Sequence, residues 1–312
     1  MEYLALYAHS PKTMLILKTP GHNIEWQTEP SFAVPTLSPQ CTSSIEERKK
    51  KNMVRALEQK IPQSEKDIKG KLDEFGPDVQ ECVITSASSN AIINTADIDH
   101  LASGQYLNDN IINAYALAAQ DINISIRELD GSVWRLAAYS SLLSSTLGRH
   151  REVNRNCMAG FKRTFDSLNL PEDITTIDAY ILAPFNIGNH WLLYLISITD
   201  ATIYKIDSLC GDATRVEDAP QYLAQMVDHH MNLQRVWKYY TVACAQQNNF
   251  TECGAHVIEN MLNIAHGKEL RTRFTYAHEE TTWSNDIRGI IRKELIYAIH
   301  MKAISAGDIL LS

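Results

Sequence analysis

What this chain lacks narrows it first. Among its 312 residues no apolar run reaches the ~18 needed to cross a bilayer as a helix. Glu2 stands where a secretory leader needs a basic residue, so no leader is expected. There is no C-x-x-C pair. The six cysteines (Cys41, Cys82, Cys157, Cys210, Cys244 and Cys253) are scattered, and a chain this long needs no disulfide staples. Cys244, Cys253 and His256 lack the paired spacing of a structural zinc site, so neither a metal nor another cofactor is expected. Positive charge is not in excess either. The net charge is −8, and residues 1–80 hold 11 basic and 11 acidic side chains, so the whole excess falls in 81–312. An acidic region of this kind argues against nucleic acid as the main partner. No internal repeat is visible. What remains is a reduced, intracellular protein of the nucleus or cytoplasm, with no membrane or nucleic-acid partner.

What is present is a set of polar residues in telling local contexts. Tyr180–Pro184 reads as a buried strand and 186–189 as a turn. An apolar strand follows from His190 to Ile198, then a break at Thr199-Asp200, then an alternating strand from Ala201 to Ser208. If the second connection holds an even number of residues, 198 pairs with 201 and 190 with 209. His190 and Asp207 then share a face at one open end, because the side-chain period is two. A third strand-like run, 236–243, leads through a polar loop to Cys253. After Cys253, residues Val257, Ile258, Met261 and Leu262 form a helical stripe. The cysteine therefore falls at a helix N-terminus, where the dipole and free N–H groups favour thiolate. Gly254 leaves room for close backbone approach at the attacked carbon. A thiol needs a base, the base an orienting carboxylate, and the oxyanion a donor. His190, Asp207 and Gln247 supply these, Gln247 from six residues upstream of the thiol.

With those residues stand Tyr106-Leu107-Asn108-Asp109-Asn110-Ile111-Ile112-Asn113, His190-Trp191, Tyr204–Leu209 and Gln246-Gln247 through Cys253-Gly254. Together these stretches resemble the ubiquitin-like-protein-specific, SUMO-deconjugating cysteine proteases, related to adenovirus protease. The His-to-Asp interval of 17 and the Gln-to-Cys interval of 6 are those the family uses. The resemblance implies an α+β fold with a papain-like core, in which helices flank a small mixed central sheet and the catalytic Cys opens a helix. It implies Cys253 as nucleophile, His190 as general base, Asp207 as its orienter and Gln247 as oxyanion donor. Tyr106, Asn108, Asp109 and Trp191 would contact substrate, with Trp191 roofing a groove around a C-terminal Gly-Gly. The implied partner of this monomer is a ubiquitin-like modifier (SUMO foremost, otherwise the neddylation modifier or ubiquitin) and its conjugates. The chain departs from the family's usual Trp at Tyr106, Asp at Glu252 and second Cys near His256. The same triad could instead transfer an acetyl group, as in some bacterial effectors, or sit silent in a modifier-binding protein. Acetyl-coenzyme A turnover and thiol-directed modifier probes separate these.

Residues 1–80 read as an N-terminal extension and 81–312 as the catalytic domain. Prolines at 11, 20, 30, 35 and 39 predict partial disorder over 1–43. Charged residues with Met53, Val54, Leu57 and Ile61 predict a helix from Ser43 or Ser44 onward, with Arg48–Lys51 on its solvated face. Within the catalytic region, helices are expected over 108–119, 153–168, 216–233 and 287–299, and a weak strand or loop around Val133-Trp134.

Overall fold

The computed structural model describes residues 27–29, 81–86, 89–102, 104–130, 134–144, 155–171, 177–209, 219–274, 277–301 and 303–305. The expected helix after Ser43 and the basic run 48–51 lie outside the described residues.

Two strands carry most of the architecture. Ala179–Ile187 (β5) and His190–Ser197 (β6) are antiparallel, and Thr202–Ile206 (β7) returns against β6. Lys238–Val242 (β8) lies parallel to β7, and Arg135–Ala138 (β4) parallel to β5. Gln27–Glu29 (β1) adds itself parallel to β8. The mixed six-stranded sheet has the order β1-β8-β7-β6-β5-β4.

Alternation along β6 sends side chains into two separate cores. Trp191, Leu193 and Leu195 face one of them. Leu192, Tyr194 and Ile196 face the other. The first face is covered by the helices Asp109–Asp130 (α1), Cys253–Ala265 (α4) and Ala277–Met301 (α5). Arg155–Ser167 (α2) and Ala219–Met231 (α3) cover the second. A small sheet of Glu81–Thr85 (β2), Asn90–Asn94 (β3) and Ala303–Ser305 (β9) flanks the first core. The expected α+β architecture, a mixed sheet between helical layers, is the one observed.

Several boundaries differ from expectation for physical reasons. Residues 95–101 form a 3-10 helix ahead of the expected one, opened by a reciprocal cap between Asn94 and Asp97. Helix α1 does not stop at Ala119. It continues through the buried amides Gln120 and Asn123, which accept from Ala138 N–H and Leu136 N–H of β4, both at 2.9 Å. Polar side chains thus satisfy the outer strand's backbone. The weak strand expected at Val133-Trp134 lies at 135–138 instead. Helix α5 begins ten residues before the expected 287, and Ile290 within it is 40% exposed. The turn between β5 and β6 is only Gly188-Asn189, because Asn186 and Ile187 still pair with Trp191 and His190. Gly188 sits at φ +67, a left-handed conformation that suits glycine at the first position of a tight hairpin.

This turn leaves His190 as the first residue of its strand, at the rim of the sheet. Leu193, fully buried at the centre of β6, anchors the strand below it. Leu193→Ala is expected to lower the unfolding free energy by about 2–5 kcal/mol, read from urea unfolding curves.

Candidate active site

The register of β6 against β7 decides which polar groups can meet. Ser197 pairs with Thr202 and Leu193 with Ile206, so the connection holds four residues, Ile198 to Ala201. Continued to the rim, this even count sets residue 190 opposite 209 and puts Asp207 one diagonal step away, on the same face. His190 Nε2 lies 2.7 Å from Asp207 Oδ1. The other oxygen, Oδ2, faces Lys205 Nζ at 3.6 Å. Oδ1 also accepts from the Leu209 N–H at 3.0 Å. The Asp207 carbonyl is held as well, by Cys244 Sγ and by Gln246 Nε2, each at 3.1 Å. The carboxylate is thus fixed at both ends of its residue.

Cys253 is the first residue of α4, and its thiol lies close enough to His190 to help raise the pKa of the imidazole. With Nε2 engaged by Asp207, the ring's Nδ1 is the nitrogen left for sulfur. The thiol is only 1% exposed. Burial alone pulls the His190 pKa down. Hydrogen bonds to Asp207 and Cys253, and the negative charge of both, more than offset that, and the imidazole is pushed up to about 9. It is therefore a cation at neutral pH, set between two acidic partners. In the described residues no cluster of three or more His, Cys, Asp or Glu is arranged to hold a metal ion.

Gln247 is buried in the loop between β8 and α4. Its backbone N–H donates to the Ser208 carbonyl at 2.7 Å, next to Asp207. The Ser208 hydroxyl donates to Gln247 Oε1 at 2.7 Å, while Nε2 donates to the Asn249 carbonyl at 2.5 Å. A carbonyl can only accept, so this pair fixes which way the amide points. One N–H of Nε2 is used by Asn249, and the second is its remaining donor.

The four residues expected to contact substrate take different places. Tyr106 is 37% exposed, and its carbonyl meets His100 Nδ1 at 3.1 Å. Asn108 Oδ1 accepts from the Ile111 N–H at 3.1 Å and Nδ2 donates to Asp97 at 2.5 Å, so this side chain caps α1. Asp109 opens α1, where its charge suits the helix dipole. Trp191 is buried, and its indole N–H donates to the Leu107 carbonyl at 2.8 Å. It stitches the strand of His190 to the segment before α1. Gly254 answers to the same segment. A Cβ there would stand 2.8 Å from Leu107 Cβ, so the missing side chain makes room for Leu107.

Sequence reasoning overlooked the residues behind the nucleophile. Glu280, Ser284 and Arg288 lie four apart on α5 and are all buried. Glu280 Oε2 accepts from the Asn248 N–H at 2.8 Å, and Oε1 lies 3.4 Å from His256 Nε2. The His256 pKa is lowered by burial against the pull of Glu280 and the nearby glutamates. Arg288 Nε lies 2.9 Å from Glu252 Oε2, an oxygen that also accepts from Ser284. The only sequence signal was three polar residues at helical spacing in an otherwise mixed helix.

Known proteins share this fold. The family described as "Ulp1 protease family, C-terminal catalytic domain" matches residues 105–294. A solved structure of the Ulp1-like SUMO protease catalytic domain of Chaetomium thermophilum superposes with a TM-score of 0.54 at 19% identity, covering 76% of this chain and 91% of that one. The C-terminal Ulp1 protease domain in complex with Smt3, the yeast ortholog of SUMO, gives 0.52 at 19% identity, covering 76% and 97%. A SUMO protease Ulp1 whose catalytic cysteine is oxidised to a sulfinic acid gives 0.51 at 20%, covering 77% and 98%. No curated protein sequence matches the chain.

Two measurements check the site. An NMR titration of His190 should give a midpoint near 9, and Asp207→Asn should lower it, since burial then meets less opposition. The folded value lies above the ordinary 6.5, so this pairing's contribution to stability is full below 6.5 and lost as pH rises through about 9. Gly254→Ala should destabilise the chain by about 1–3 kcal/mol in thermal unfolding, because Leu107 must shift.

Proposed function

The chain belongs to the Ulp1 protease family, a family of cysteine peptidases, and on that premise we propose that it cleaves after the C-terminal Gly-Gly of a ubiquitin-like modifier, with SUMO as the favoured substrate. The reaction either releases the modifier from a lysine or trims its precursor. The observation that carries this reading is the meeting of Asp207, His190 and Cys253 from three distant segments. Two relatives of the same fold are described as SUMO proteases, and a third was solved with Smt3 bound.

Cys253 attacks the terminal glycine carbonyl as thiolate, forming a C–S bond and an oxyanion. The second N–H of Gln247 and the free N–H groups at the start of α4 receive that oxyanion. His190, already protonated, gives its proton to the leaving lysine amine as the tetrahedral intermediate collapses to a thioester. Asp207 holds the ring and balances its charge. Water then attacks the thioester with His190 as base, releasing the modifier carboxylate and restoring the thiolate–imidazolium pair. Tyr106, Asn108, Asp109 and Trp191 shape the approach. Tyr106 offers an exposed aromatic surface, while the other three act from the helix cap, the helix start and the core behind it.

The experiment is hydrolysis of C-terminal fluorogenic amides of SUMO, the neddylation modifier and ubiquitin by the full chain. SUMO should be the fastest, and Cys253→Ala should abolish turnover while retaining measurable SUMO binding. Wild-type turnover by Cys253→Ala would remove the nucleophile. Gln247→Ala should lower kcat by about 10²–10³ with little change in KM.

A further inference from the structure

The position of the Cys253 sulfur depends on where α4 starts, and the residue at that start is unusual. Glu252 is the N-cap, in αR conformation, yet its side chain makes no capping hydrogen bond. N-cap side chains ordinarily hold the free N–H groups of the first turn. Here the carboxylate turns away to Arg288 and Ser284 on α5. The loop before it is braced instead by Asn249 Oδ1, which accepts from the Thr251 and Glu252 N–H groups at 2.9 and 3.1 Å.

Arg288 is 2% exposed, and every one of its N–H directions is used. Nε donates to Glu252 Oε2. Nη1 donates to the carbonyls of His100 and Ala102, at 3.1 and 3.4 Å. Nη2 donates to the carbonyls of Gln105 and Thr251, at 2.8 and 3.2 Å. One guanidinium therefore ties the two residues before the nucleophile to the segment that runs into Tyr106 and Leu107. Leu107 in turn packs against Gly254 and accepts from Trp191. Two turns earlier on the stripe, Glu280 holds the Asn248 N–H beside Gln247.

We infer that Arg288, through its buried pairing with Glu252, is a positioning residue for Cys253. It fixes the start of α4 against the 100–105 segment and so sets the sulfur against His190. A planar fork with five donors can do this, and a point charge cannot. The pairing also cancels a carboxylate that would otherwise sit unbalanced one residue from a thiolate. The titratable and charged groups on the elements around the thiol are His190 on β6, Lys205 on β7 and Asp207 just beyond it. Glu252 and His256 lie on its own segment, and Glu280 and Arg288 on α5.

The inference rests on Cys253 as nucleophile, and the two fail separately. Turnover that survives Cys253→Ala removes the nucleophile, whereas the following test needs no substrate. Iodoacetamide alkylates thiolate, forming a C–S bond and releasing iodide. Its rate at Cys253 in the full chain is followed across pH by mass spectrometry of the Cys253 peptide. For both Arg288→Met and Glu252→Ala, the ratio of the rate at pH 6 to that at pH 10 should fall about tenfold, because the imidazolium no longer meets the sulfur. A pure charge effect would instead move the two variants in opposite directions, since one leaves a carboxylate near the sulfur and the other a guanidinium. Opposite shifts, or unchanged profiles, overturn the inference. Arg288→Lys keeps the charge and loses the fork, so it decides the matter if the truncations do not fold. A lowered ratio supports positioning, and a wild-type ratio overturns it.

Discussion

The hydrogen bond between His190 Nε2 and Asp207 Oδ1, at 2.7 Å across neighbouring strands, is the contact on which the site depends. It fixes the ring's orientation, assigns one nitrogen to the carboxylate and leaves the other for sulfur. It also supplies much of the opposition to burial that keeps the imidazole protonated to about pH 9. The bond exists because the β6–β7 connection has four residues. One residue more or fewer would turn Asp207 to the opposite face of the sheet, since side chains alternate along a strand.

The thiol reaches this pair by a different kind of support. Strand residues are located by a continuous ladder, but Cys253 follows a loop and must be held by side chains. Gly254 lets α4 approach Leu107, Trp191 fastens Leu107 to the histidine's strand, and the stripe on α5 grips the loop from behind. Apolar packing supplies the adhesion of these layers, and buried charges supply their registration. Buried ionic groups are weak sources of stability and good sources of geometry when every partner is satisfied, as it is around Arg288.

The divide between what could and could not be read from the sequence follows these two kinds of support. The strands of His190 and Asp207 and the helix after Cys253 were legible, because alternation and the apolar stripe are local patterns, while the common face of His190 and Asp207 hung on an even connection that only the register supplies. The family motifs added the sheet-and-helix architecture. The packing of Gly254 was not legible, because its neighbour Leu107 lies 147 residues away in the chain. The full length of α1 was not legible, because Gln120 and Asn123 in its second half are held by the distant strand β4. Arg288 was invisible for the same reason: its acceptors are carbonyls of residues 100, 102, 105 and 251, and a carbonyl leaves no mark in a sequence.

The two outermost strands of the main sheet are short. β1 has three residues and β4 has four, and the longer β5, β6 and β8 lie inside them. A long unpaired border would offer its N–H and C=O groups to any extended chain, including another molecule of the same protein. Here the fragment Gln27–Glu29 occupies that border along Tyr240–Val242. The sheet that carries His190 and Asp207 is thereby spared from collecting strands along this side.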